Sequence, residues 1–283
     1  MEFQAWINGT WMAEKEVRLP LDDAMVTHGA GLVEVLRTWK GRPVFLNRHL
    51  DRFIESAREM DLHLPLDREE LTSIVQEYLR RQPQAMSGQD RHVVLLATPG
   101  APGQSRATLI VHGRALQSAL HQEFKEKGAE LRRSPVMALP PETIPARWKH
   151  RSRLHWYLAG RPSGGLALLE TPAGIVTETA IGHVVMVTRE LETTVLVTPP
   201  NDLVLPGITL GVLQELTQKR GYRWQSRPFG WDELAKAPEA LLVGSGFGVA
   251  GVSQVQGAPL PWPGPVTMEL MADFDSFIGM PIG

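Results

Sequence analysis

The sequence predicts an α+β fold, and three observations lead there. Short β-branched and aromatic runs are interspersed with helical stripes, but not in the regular strand–helix–strand alternation of a doubly wound sheet. The chain has 283 residues, 43% hydrophobic and 21% charged, enough to build core for two domains or one large one. No internal repeat or low-complexity tract interrupts it.

Taken in order, residues 3–7 and 32–39 read as strands bounded by Gly and Asn turns. Asn47 is expected to cap a helix whose apolar stripe is Leu50, Phe53, Ile54, Ala57 and Met60. Arg52 lies off the centre of that stripe. A second helix is expected from Asp67, with Glu70 as its capping-box partner, through Leu71, Ile74, Val75, Tyr78 and Leu79. Residues 82–90 read as a polar loop. Residues 92–98 and 108–112 read as strands around the turn Pro99-Gly100-Ala101-Pro102-Gly103. Periodicity weakens and charge accumulates over residues 113–128, which sets a domain boundary there: 1–118, then 119–283 carrying Lys149.

In the second half, residues 136–139, 165–170, 174–177, 183–188 and 193–198 are strand-like. Residues 149–159 are expected to form a short helix. Residues 209–220 form a stronger one, with Val212, Leu213 and Leu216 on one face and Gly221 as its stop.

Composition narrows the function classes. A net charge of −2 gives no nucleic-acid surface, and the basic stretch 147–153 is local. The absence of cysteine excludes disulfides, thiolate metal sites and a cysteine nucleophile. The nine histidines have no metal-ligand spacing, so no metal is expected. The first residues lack a signal-peptide pattern, and no apolar run is long enough to span a bilayer. A cytoplasmic location without membrane contact is therefore expected.

Three features carry chemistry. Lys149 sits among Arg147, Trp148, Arg151 and Arg153, where like charge and partial desolvation disfavour an ammonium and favour a nucleophilic amine. Glu178 ends the strand-like run Gly174-Ile175-Val176-Thr177. Leu205-Pro206-Gly207-Ile208-Thr209 opens a helix, with Thr209 as the expected cap, and amides at a helix start bind anions. Gly244-Ser245-Gly246-Phe247-Gly248 lacks dinucleotide-loop spacing; it reads as a strand end and tight turn offering Ser245 to the same anion. A lysine or glutamate taken singly is more often a solvated surface group. In this order, the amine suits the aldehyde of pyridoxal 5'-phosphate, the acid its pyridine nitrogen, and the glycine turn its phosphate.

From residue 6 to residue 257 the chain resembles the fold-type IV pyridoxal-phosphate enzymes: branched-chain and D-amino acid aminotransferases and 4-amino-4-deoxychorismate lyase. The resemblance rests on residues 28–37, Gly41-Arg42-Pro43, His49-Leu50-Asp51-Arg52, Lys149 to Leu154, Glu178, and Leu205 to Thr209. It implies that Lys149 is the catalytic lysine holding the cofactor. Arg52, Gly207, Ile208, Thr209 and Ser245 would take the phosphate, and Glu178 the ring nitrogen. Two α+β domains would hold the cofactor between them, in a homodimer acting on an amino acid and a 2-oxo acid. Glu34 and Arg37, on one strand, are expected in the substrate pocket, with Arg37 a candidate for the substrate carboxylate and a structural ion pair as its alternative. The segment after Lys149 is most similar to the lyase branch, which makes the lyase reaction the rival to amino transfer. A non-catalytic cofactor-binding homologue is the third reading. The chain departs from the family pattern at four positions. His183 stands where an asparagine is usual, Leu210 where an arginine is common, Ser152 replaces an asparagine, and Val33 an aromatic residue. The cofactor-binding parts match while the substrate-shaping parts have drifted, so the substrate stays open.

Overall fold

A computed structural model describes residues 2–83, 89–162, 164–218 and 220–279. The polar loop expected over residues 82–90 falls largely on 84–88, outside the described residues. The chain forms two compact units: Met1–Leu116 with Trp148–Arg153, and Gln117–Arg147 with Leu154–Gly283. No helix among the described residues is long and apolar enough to cross a membrane.

The first unit contains β1 (Gln4–Ile7), β2 (Thr10–Ala13), α1 (Ala24–His28), β3 (Leu32–Trp39), β4 (Arg42–Pro43), α2 (Leu46–Glu59), α3 (Arg68–Arg81), β5 (Arg91–Thr98) and β6 (Thr108–Ala115). Its strands form one sheet in the order β2-β1-β6-β5-β3-β4. The neighbouring pairs are antiparallel. Asn8 and Gly9, both at positive φ, make the two-residue turn that pairs Ile7 with Thr10. Side chains on a strand alternate between faces. Leu32, Leu36, Val93, Leu95, Leu109 and Val111 pack with α2 and α3 through Leu50, Phe53, Leu71 and Tyr78. Val33, Val94, Leu96 and Ile110 line the opposite face.

The expected capping box of α3 is present. Glu70 N donates to Asp67 Oδ1 at 2.9 Å and Asp67 N to Glu70 Oε2 at 2.8 Å. The start of α2 differs from expectation. It begins at Leu46, so Asn47 lies inside the first turn and Phe45 (φ 53) occupies the cap position without a side-chain cap. The preceding hairpin delivers the chain to the helix before the polar residue is reached.

The second unit contains α4 (Ser118–Lys127), β7 (Ala129–Arg133), α5 (Leu154–Ala159), β8 (Leu166–Glu170), β9 (Val176–Thr179), β10 (His183–Glu190), β11 (Thr193–Thr198), α6 (Ile208–Gln218), β12 (Arg223–Ser226), α7 (Trp231–Leu234), β13 (Glu239–Gly244), β14 (Gly248–Val255), β15 (Ala258–Pro259) and α8 (Pro265–Gly279). The strand path is β12-β11-β10-β13-β14-β7-β8-β9. β9 also pairs with β10 through Glu178 and His183, so the path from β10 to β9 closes on itself. Leu168, Val184, Met186, Leu242, Ala250 and Val252 fill its core.

Two expectations fail here, and one helix is unanticipated. Residues 136–139 form no strand: Pro135 and Pro140 flank them, and only Ala138 N reaches a strand, donating to Glu170 O at 2.8 Å. The helix expected from Lys149 begins at Leu154 instead. The helix α8 lies outside the elements expected from the sequence. Its buried Val266, Leu270, Phe274 and Ile278 recur every four residues, and Glu239 caps it by accepting from Val266 N (3.1 Å) and Thr267 N (2.8 Å).

Lys149 also falls in a different unit from the one expected. The boundary lies at Leu116/Gln117, and Trp148–Arg153 groups with the first unit. The cause is backbone pairing at the start of β3. Val33 N donates to Lys149 O at 2.9 Å, Arg151 N donates to Gly31 O at 2.8 Å, and Leu32 bridges His150. The strand edge takes the backbone groups that a helix would have used.

Candidate functional site

In the first unit Glu34 is the centre of a buried cluster. It points from β3 toward α2 and is 1% exposed. α2 places His49 and Arg52 three residues apart, hence on one face. Arg52 grips the Glu34 carboxylate with two bonds, Nε to Oε2 at 2.9 Å and Nη2 to Oε1 at 2.7 Å. His49 Nδ1 lies 2.8 Å from Oε1, and Val35 N donates to the same oxygen at 2.9 Å. Burial alone would raise the Glu34 pKa, but Arg52 and then His49 outweigh it, and the carboxyl is held well below the usual range. Burial lowers the His49 pKa, opposed by Glu34 and reinforced by Arg52 and Lys149. Arg52 therefore supplies the positive charge, and His49 donates as a neutral ring.

Glu34 and Arg37 were expected together in a substrate site. They do not share a face, because residues three apart on a strand point to opposite sides. Glu34 is committed to Arg52. Arg37 lies on the other face, where Nε donates to Thr38 O at 3.2 Å and the guanidinium sits 5.3 Å from the Trp39 ring centroid. Asp90 is 3.8 Å from its Nη2.

In the second unit Glu178, Gly207, Ile208, Thr209 and Ser245 come together. Leu205 N donates to Glu178 Oε1 at 3.3 Å, which ties the acid to the strand-to-helix turn. The first bond of α6, Gly211 N to Gly207 O at 2.9 Å, makes Gly207 the cap. Thr209 is thus not the cap but sits in the first turn, 3% exposed. Its Oγ1 is 3.4 Å from Ser245 Oγ, on the turn between β13 and β14. The amides of Ile208, Thr209 and Leu210 are first-turn amides without intrahelical acceptors, the arrangement that binds anions. A Cβ on Gly207 would lie 2.5 Å from the His183 ring, so this position admits no side chain as the site stands.

Sequence reasoning gave no role to His49 or His183. His49 was visible as the His-x-x-Arg spacing with Arg52. His183 appeared only as a departure from a pattern.

Fold and comparison agree on the class: this is a two-unit α+β chain of fold-type IV. The chain belongs to the amino-transferase class IV family, whose model matches residues 31–255. It is 24% identical to a putative branched-chain-amino-acid aminotransferase of Methanocaldococcus jannaschii over 89% of this chain and 88% of that one. It is 23% identical to a D-alanine aminotransferase of Staphylococcus epidermidis over 97% of this chain and 98% of the other. Among solved structures, a hypothetical aminotransferase from Mycobacterium tuberculosis in its PLP-bound form superposes with a TM-score of 0.84 at 24% identity, covering 97% of this chain and 98% of that one. The class IV family uses pyridoxal phosphate.

Proposed function

We propose that this protein transfers an amino group between an amino acid and a 2-oxo acid, with pyridoxal phosphate as cofactor. The observation that carries this reading is the second-unit cluster. An acid and the amide-rich start of α6 are joined by the Leu205–Glu178 bond, as a cofactor with a basic ring nitrogen at one end and a phosphate at the other requires. The first-turn amides of Ile208 and Thr209, with the Thr209 and Ser245 hydroxyls beside them, supply the donors that an anion needs.

The bound cofactor supplies an electron sink. Lys149 would hold it through its amine and would move a proton at the substrate α-carbon. Glu178 holds a proton on the ring nitrogen. Ile208 N, Thr209 and Ser245 take the phosphate, with Arg52 kept in place by Glu34. Arg37, on the opposite face of β3 and 3.8 Å from Asp90, is the candidate for the substrate carboxylate. Amino acid and 2-oxo acid are the small-molecule partners. The protein works as a homodimer, and its cysteine-free composition suits the cytoplasm.

Two measurements test this. Borohydride reduction followed by peptide mapping should find the pyridoxyl group on Lys149; a label elsewhere overturns that role. A panel of L- and D-amino acids without acceptor should consume the aldehyde form of the cofactor and release one equivalent of 2-oxo acid, and added 2-oxo acid should restore it. If no amino acid does this while aminodeoxychorismate yields pyruvate and 4-aminobenzoate over many turnovers, the enzyme is the lyase, a reading the segment after Lys149 favours. Full cofactor loading with neither reaction would make it a non-catalytic homologue.

A further inference from the structure

His183 lies against two parts of the second-unit cluster, Glu178 and Gly207. It opens β10, where its backbone is paired with Glu178 on one side and Val243 on the other. The Glu178 pairing is the single register pair that closes the strand ring. The turn that brings His183 opposite Glu178 is locked by Thr179, whose Oγ1 donates to Gly182 O at 2.8 Å and accepts from Gly182 N at 3.0 Å. The side chain is 8% exposed, and its Nδ1 lies 3.6 Å from Glu178 Oε2. That distance is beyond a good hydrogen bond but within ionic reach. The other edge of the ring, Cδ2 and Nε2, abuts Gly207 so closely that a Cβ there would lie 2.5 Å from both atoms. One ring thus lies between the acid and Gly207, while the Leu205 end of the same turn bonds the acid directly.

We infer that His183 is a positioning residue. Its imidazole is the spacer that sets the distance between the Glu178 carboxylate and the Gly207 turn, so that ring nitrogen and phosphate are gripped at a fixed separation. The inference rests on the pyridoxal-phosphate reading above and concerns a residue that departs from the family pattern. A buried aromatic ring against backbone transmits displacement because cores are close-packed. Moving the turn must therefore move the ring, and with it the acid.

The test is a compensation experiment on four variants: Gly207→Ala, His183→Ala, the double variant, and His183→Asn. Folding of each is checked by its melting curve. Two quantities are read: the dissociation constant for pyridoxal phosphate, and the ring ¹⁵N resonance of the bound, isotopically labelled cofactor. Gly207→Ala should weaken binding about tenfold or more, the scale of an overpacking cost, and shift the ¹⁵N resonance. His183→Ala should shift the resonance by freeing Glu178. In the double variant the space left by the ring accepts the new methyl, so binding should recover most of the loss seen in Gly207→Ala. His183→Asn keeps a polar side chain beside Glu178 and should keep the resonance nearer to wild type than His183→Ala does. Additive losses in the double variant, or a wild-type resonance in His183→Ala, overturn the inference while leaving the function reading intact. A wild-type chain that binds no pyridoxal phosphate overturns both.

Discussion

Glu34 keeps its negative charge with 1% of its surface exposed, because Arg52 and His49 close around it. Removing one partner of such a buried pair typically costs about 3–5 kcal/mol, since the other charge is left uncompensated. Glu34→Gln should therefore lower stability by about that amount, measured by denaturant unfolding, and should weaken cofactor binding through the loosened Arg52. A loss under ~1 kcal/mol would show that the pair contributes little. The cluster also sets an acid limit. Both Glu34 and His49 have folded pKa values below their unfolded ones. Each then contributes stability that is full above its unfolded pKa and is lost as pH falls through the folded value. For His49 the loss begins as pH drops past its unfolded value of 6.5, and for Glu34 past 4.5. His49→Gln should flatten the upper part of this profile, between about pH 6.5 and the carboxylate range, and leave the lower part in place. An unchanged slope there would mean that His49 is not kept neutral by burial. Glu34 and Arg37 look like partners in the sequence because both lie on one strand. Alternation across the sheet separates them, and the bidentate grip of Arg52 on Glu34 is visible only in three dimensions.

Elements whose signals are local are legible in the sequence. The α3 capping box needs only Asp67 and Glu70 three residues apart, and both of its bonds are present. Asp67→Ala should cost about 1 kcal/mol in thermal or denaturant unfolding, the usual worth of a side-chain cap. Its effect on turnover should be nil, because α3 carries none of the proposed site residues; a parallel fall in turnover would count against that. The start of α6 is legible as a Pro-Gly turn before an apolar stripe, though the cap is Gly207 rather than Thr209. The segment after Lys149 misleads because its helical periodicity is real from Leu154 onward and invites extension backward. Nothing local announces that β3 will capture the backbone of 149–151. The apolar period of α8 is present in the sequence, but its cap, Glu239, comes from β13, far back along the chain.

At the scale of the whole chain, a six-residue segment inside the second half of the sequence belongs to the first unit. Its attachment can be measured. Leu71 is fully buried under the first-unit sheet. Leu71→Ala should cost about 2–5 kcal/mol there. Hydrogen exchange at the Val33 and Arg151 amides, which bond Lys149 O and Gly31 O, should accelerate together in that variant. The Gly160 amide, bonded to Trp156 O at the end of α5, should not follow them. If Arg151 keeps pace with Gly160 instead, the lysine segment belongs with the unit that flanks it in sequence.

The sequence by itself determined the α+β class, the family pattern, and the amine, acid and glycine turn in their order, because each is a short-range requirement of residue type and spacing. Only the tertiary structure decided which unit holds Lys149, that Glu34 serves Arg52, and that the His183 ring stands between Glu178 and Gly207. Those outcomes depend on strand edges, sheet faces and close packing between residues far apart in the chain, and no local spacing encodes them.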